Sequence, residues 1–271
     1  MRRIAAGKGW SVAEFICEAG PGDRPFEEKH DGVSVALVAQ GSFDYRADTG
    51  RALLYPGALL LCNHGACYQC GHDHGAGDRC ISVHVAAESF AEIAATAAGS
   101  SRFRFPVGML PARRDVLPPA AMLGAFGKRR DPIDMEDAAT RFMAMAIGLL
   151  AGARPTALRV SALDERRVAR ALRHMEAHAD QRLDLDRIAG VAAMSKFHFL
   201  RVFRRVAGVT PHQYLLNLRL WRAAQRLLNS AEAVSAIAFD AGFGDLSTFN
   251  AAFRARFGRS PLLFRRQGVP P

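Results

Sequence analysis

From Leu185 to Ala192 the apolar residues Leu185, Ile188, Ala189 and Ala192 fall at i, i+3, i+4 and i+7, one face of a short helix. After a turn of about three residues, Phe199, Val202, Phe203 and Val206 keep the same period. Ser195 is the N-cap expected before that second helix and Gly208 its stop. The pattern then recurs: Val234, Ile237, Ala238 and Ala241, a turn "GFGD", and Phe249, Phe253 and Phe257 before Gly258. The stretches "FLRVFRRVAGVTPHQY" and "FNAAFRARFGRSPLLF" both read F-x3-F-R-x3-G-x2-P-x2-(Y/F). Two short amphipathic helices joined by a tight turn make a helix-turn-helix, and two copies predict a duplicated module. Between them, Thr210-Pro211 starts a helix through Leu228, mirrored by Ser260-Pro261. That helix is a rigid spacer of ~27 Å.

Residues 33–86 alternate apolar and polar positions as short strands do, with turn residues between them. "VSVALVA" ends at Gly41, "SFDYRAD" turns at Thr49-Gly50, "RALLY" leads to Pro56-Gly57, and "ALLLC" and "CISVHVA" flank a loop rich in cysteine and histidine. Closely spaced antiparallel strands with a Pro-Gly corner predict a small barrel or double-sheet roll. Helical periods follow from Glu88 to Ala97 and from Leu117 to Ala153, with breaks expected at Pro118-Pro119 and Asp131-Pro132. Thr140, Met143, Ala144, Ile147 and Gly148 form a small apolar face that suits either a core or a dimer seam. Residues 151–162 show no buried face and read as a linker. The expectation is an α+β chain: a β sensory unit over 1–110, a helical connector over 111–153, a linker at 154–163, and an all-α unit over 164–271 holding both helix-turn-helix modules.

Charge sharpens the picture. The chain carries a formal net charge of +10, and from Ser161 onward 18 Lys+Arg face 9 Asp+Glu. The excess sits in the helical half, which suggests a polyanion partner, nucleic acid first. The face of the first module turned from its core carries Phe197, Leu200, Arg201 and Arg204 at helical spacing. An aromatic and a leucine beside arginines suit a DNA groove, where arginine pairs with guanine and apolar side chains meet thymine methyls. Ser195, Lys196 and Arg205 flank the stripe and suit phosphates. The two recognition helices could enter major-groove segments about one turn (~34 Å) apart.

These residues resemble the AraC/XylS family of bacterial transcription regulators. The resemblance covers roughly residues 164–267 and is carried by "MSKFHFLRVFRRVAGVTPHQYLLNLRLWRAAQRLL" and "VSAIAFDAGFGDLSTFNAAFRARFGRSPLLFRR". It implies recognition helices at 195–206 and about 246–257, with base contacts from Phe197, Leu200 and Arg201, then from Leu246, Ser247, Asn250 and Ala251. Where family members often carry a base-reading arginine this chain has Ala251, so the second module is expected to contribute phosphate contacts through Thr248 and Arg254. The strand-rich half resembles, in layout, the cupin-like sensory domain that precedes this DNA-binding domain in many members. The usual cupin metal signature is not clearly present; His30 after "EEK" is a candidate remnant.

The loop "CYQCGHDHGAGDRC" holds three of the five cysteines. Cys67-x2-Cys70 is a spacing at which two thiolates can grip one zinc or other transition ion, with His72 and Cys80 in reach, His84 as a substitute for His72, and His74 as a spare. A glycine-rich hairpin with inert cysteines is the competing reading, and redox sensing by Cys67 or Cys70 a third, favoured if Arg79 or a histidine lowers a thiol pKa. No segment reaches the ~20 apolar residues that a membrane span needs, and an odd number of cysteines without an export signal predicts a cytoplasmic protein with reduced thiols. Gly-rich phosphate loops and nucleophile elbows are absent from the sequence. The reading is a non-enzymatic, sequence-specific regulator that partners double-stranded promoter DNA and with it RNA polymerase, as monomer or homodimer, under a metal, redox or small-molecule signal. The alternative is a cupin-like metal-dependent enzyme fused to a DNA-binding domain.

Overall fold

The computed structural model describes residues 1–25, 27–72, 77–124, 132–152 and 160–268. Its N-terminal half is built on β1 (Arg2–Gly7), β2 (Trp10–Cys17), β3 (Glu27–Lys29), β4 (Val33–Gly41), β5 (Phe43–Ala47), β6 (Gly50–Leu54), β7 (Leu59–Cys62), β8 (Cys67–Gly71), β9 (Asp78–Val85) and the short β10 (Met109–Leu110). They form two antiparallel sheets, β1-β2-β9-β4-β7-β10 and β3-β8-β5-β6. In β4 nearly every side chain is buried, so the expected alternation is lost in its burial. It survives as a choice between two cores: Val33, Val35 and Leu37 join the cluster under the helices, while Ala36 and Val38 join the one that runs into the C-terminal half. A strand covered on both faces reads as a continuous apolar run.

Helices α1 (Ala87–Ala98), α2 (Leu117–Gly124) and α3 (Pro132–Leu150) follow. The break expected at Pro118-Pro119 does not occur: both prolines sit in the first turn of α2, where a missing N–H costs nothing. On α3 the apolar face divides. Met143 and Ile147 are buried against the six-stranded sheet's core, whereas Thr140 and Gly148 are exposed. Most of the expected linker, residues 153–159, lies outside the described residues.

The C-terminal half comprises α4 (Ala162–Ala177), α5 (Leu185–Val191), α6 (Lys196–Ala207), α7 (Pro211–Asn229), α8 (Val234–Asp240), α9 (Leu246–Phe257) and α10 (Pro261–Gly268). Helix α6 starts from Ser195 and ends on Gly208 in the left-handed conformation; α9 ends the same way on Gly258. Helix α7, about 28 Å long at 1.5 Å per residue, opens with a full capping box: Gln213 N–H donates to Thr210 Oγ1 at 3.2 Å and Thr210 N–H to Gln213 Oε1 at 3.0 Å.

The two halves share cores. Phe43, Tyr45 and Tyr55 of the strands pack in one cluster with Phe199, Phe203 and Tyr214, and Leu117 and Ala121 of α2 pack with the aromatic core of the second module.

Candidate nucleic-acid interface and the N-terminal cavity

Helix periodicity puts Phe199, Val202, Phe203 and Val206 into the core and so turns the opposite stripe of α6 outward. Phe197 is 83% exposed, a high value for a phenylalanine, and Arg201, Arg204 and Arg205 are exposed beside it. Leu200 is half-buried. Arg201 donates to His198 Nδ1 at 3.0 Å, which holds its guanidinium close to the helix surface. Lys196 is paired with Asp186 at 2.6 Å, an exposed ion pair weak enough for a phosphate to replace. Ser195 is exposed and its hydroxyl makes no capping bond, which leaves the hydroxyl available at the head of α6.

Helix α9 presents a different surface. Leu246, Ser247, Thr248, Ala251 and Arg254 are exposed and Asn250 is half-buried. Asp245 caps the helix, accepting from Thr248 N–H at 2.7 Å and from Thr248 Oγ1 at 2.7 Å. These two bonds, the backbone one first, hold the Asp245 carboxyl below its ordinary value. The Thr248 hydroxyl is therefore spent within the cap, and a carboxylate stands next to the phosphate position expected for it. Arg254 is left as the exposed cation of the expected set on this helix.

Between the sheets lies a cavity of about 870 Å³, open to solvent on one side and lined in part by Trp10, Phe15, Phe43, Tyr68, His30 and His84. His30 stacks on Tyr68 with ring centroids 4.0 Å apart, and its Nε2 lies 3.0 Å from Tyr45 Oη. Burial, then the neighbouring His84, pushes His30 down to about 4, and burial lowers His84 as well. Both shifts favour the neutral imidazole.

The structure does not assemble Cys67, Cys70, His72 and Cys80 as one ligand set. Cys67 and Cys70 are three positions apart on β8, and odd separations on a strand point to opposite faces. Cys67 is exposed, while Cys70 lines the cavity. His72 is buried and its Nε2 lies 2.7 Å from Asp78 Oδ2. Cys80 Sγ donates to the other oxygen, Asp78 Oδ1, at 3.2 Å. Among the described residues the group of three or more ligand atoms that all lie within 4.8 Å of one another belongs to Cys17, His72 and Asp78. His84 lines the cavity, and His74 lies outside the described residues. For Cys70 the redox option loses its activating charge. Arg79 is committed to Glu14 at 2.5 Å on the other face of β9, and burial, followed by Asp78, pushes the Cys70 thiol up to about 12. Cys17 and Asp78 meet through β2, a strand that the sequence pattern does not predict because Glu14 interrupts the apolar run of "WSVAEFIC".

Comparison with known proteins matches residues 188–267 to a family model described as a helix-turn-helix domain. Over 92 residues, 34% of this chain, it is 37% identical to the right origin-binding protein of Escherichia coli strain K12, a match covering 32% of that protein. The match thus spans about a third of that relative's length. Over 93 residues it is 33% identical to the regulatory protein SoxS of Salmonella typhimurium strain LT2, and here the match covers 87% of the relative. A crystal structure of a transcriptional regulator with an AraC-type DNA-binding domain from Chromobacterium violaceum aligns with 41% of this chain and 99% of its own, at 30% identity and a TM-score of 0.38.

Proposed function

Since this chain belongs to the AraC/XylS family of transcription regulators, we propose that it binds double-stranded promoter DNA through α6 and α9 and that its N-terminal half modulates this binding in response to a signal. The observation that carries the reading is the outward stripe of α6: a phenylalanine 83% exposed to water beside three exposed arginines. Exposed aromatic surface next to exposed cations is poor solvent chemistry and good groove chemistry. Helix α7, about 28 Å long, lies between the modules, so α6 and α9 would enter successive major grooves on one face of a duplex. The first module reads bases through Phe197, Leu200 and Arg201. The second contributes mainly affinity, through Arg254.

We read the double-sheet roll as a cupin-like sensory unit, with the cavity as the place for an effector. Its aromatic walls and neutral histidines match the usual make-up of a small-molecule site. SoxS, matched over 93 residues, is by name a regulatory protein, which favours the regulator over the fused-enzyme alternative. Selection of bound fragments from genomic DNA, followed by footprinting with the full-length protein, tests the proposal. The expected outcome is a shared sequence with protection in two adjacent major grooves. Binding that is equal on all duplexes at moderate salt would overturn it.

A further inference from the structure

We propose that Cys17, His72 and Asp78 bind a divalent transition ion of the zinc class at the end of the cavity where β2, β8 and β9 meet. Cys17 and Asp78 are cross-strand partners in the six-stranded sheet, so their side chains share a face. His72 follows β8 of the other sheet and reaches across to them. All three line the cavity. Their ligand atoms lie within 4.8 Å of one another, against separations of roughly 3–4 Å around a tetrahedral zinc. Binding thus asks Cys17 to close in slightly and the His72–Asp78 pair, now at 2.7 Å, to open slightly.

The donor set is a thiolate, an imidazole and a carboxylate. That mixture suits zinc, cobalt or cadmium, and not magnesium or calcium, which take oxygen ligands. Three protein ligands leave a fourth position. A molecule in the cavity can fill it. The backbone is built to hold Cys17 at Asp78's side. Gly77 has φ +72°, its N–H donates to Ala19 C=O at 2.7 Å, and a Cβ there would lie 2.2 Å from the Cys17 carbonyl oxygen. Only glycine permits that approach.

The site also has a short route to the DNA-binding half. Asp78 pairs in register with Gly41, whose N–H donates to Glu176 Oε1 on α4 at 3.4 Å. Any regulatory consequence rests on the regulator reading above; metal binding itself does not.

The test uses untagged full-length protein, stripped by a chelator and titrated first with Co2+ and then with Zn2+. The expected result is one Co2+ per chain, a thiolate-to-cobalt charge-transfer band, and displacement by Zn2+. Cys17→Ser should abolish the band and weaken binding by about 100-fold or more, Asp78→Asn should weaken binding by at least about tenfold while keeping the band, and Cys67→Ser should change neither. Circular dichroism shows which variants fold. Should Cys17→Ser not fold, Asp78→Asn decides, and unchanged Co2+ affinity in it overturns the site. Sub-stoichiometric uptake by folded wild-type protein overturns it too, as does a band that survives Cys17→Ser and vanishes in Cys67→Ser. Duplex binding measured on the same apo and metal-loaded samples keeps the two readings apart: failure to bind DNA in both would count against the regulator and leave the metal site standing.

Discussion

Arg201 and Arg204 stand close together on one exposed stripe of α6, yet their expected tasks differ. Arg201 sits with the base-facing Phe197 and Leu200, whereas Arg204 lies in the last turn, toward the backbone. Arg201→Ala should cost ~1–3 kcal/mol on the specific site and relax preference at one base position. Arg204→Ala should weaken specific and random duplex alike, with a salt slope shallower by about one unit. Fluorescence anisotropy across a salt series distinguishes them, and equal losses on both DNAs for Arg201→Ala would remove that residue from base reading. His30 makes a different single-residue prediction. Its folded-state pKa of about 4 lies below the ordinary 6.5, so on acidification the unfolded chain takes up the proton first. The stability that comes from keeping His30 neutral is complete above pH 6.5 and drains away toward pH 4. In denaturant titrations across that window, His30→Gln should show a shallower loss than wild type.

At the scale of elements, the two modules are near copies with one difference in the turn. The second helices, α6 and α9, are offset by fifty residues and the first helices, α5 and α8, by forty-nine. The turn of the first module holds Ala193 at φ 51°, while the second places Gly242 at φ 88°. A left-handed alanine costs roughly 1–2 kcal/mol, partly offset by the lower entropy of its unfolded chain. Ala193→Gly should therefore raise stability by up to ~1 kcal/mol. Gly242→Ala should lower it by more, because the added Cβ would lie 2.8 Å from the carbonyl oxygens of Ala179 and Asp180. Thermal melts of both variants check the pair. The outward faces differ more than the turns do. With Ala251 and a half-buried Asn250 where α6 has Arg201 and Leu200, scrambling the DNA under α9 should reduce affinity less than scrambling it under α6. A methylation-interference map with its strongest signals under α9 would contradict this.

Across the whole molecule, a few buried polar groups join the halves. Asn217 of α7 donates to Ala112 C=O at 2.7 Å and accepts from Arg256 Nε of α9 at 3.1 Å, so one amide ties the connector to the spacer helix and to the second module. Tyr55 donates to Ala207 C=O at the end of α6 and accepts from Ala112 N–H at 3.3 Å. Gln225 of α7 donates to Ala121 C=O of α2 at 2.8 Å. Removing a buried bridging amide strands its partners away from water. Asn217→Ala should thus cost ~2–4 kcal/mol, which a shift in the urea midpoint at unchanged slope would register. These contacts are also the physical means by which an event in the roll could reach the recognition helices.

The features legible in the sequence have short reach. Helices α5 to α9 follow from apolar spacing within two turns, from Thr210 as a cap, and from Gly208 and Gly258 as stops, all of which act between near neighbours. The exposed stripe of α6 follows from the same period, because placing Phe199 and Phe203 inside leaves Phe197 and Arg201 outside. Strands β1 and β2 were not legible. Glu14 is buried between Arg2 and Arg79, and this charged sandwich blurs the alternation of the strand that carries it. The fate of the cysteines was likewise decided in three dimensions. A C-x2-C spacing can grip an ion in a loop, but on a strand it sends its two thiols to opposite faces. Cys17 meets Asp78 only because β2 pairs with β9 across some sixty residues of chain. Strand register is set by such non-local pairing and by which face finds a core, and neither is written in the spacing of adjacent residues.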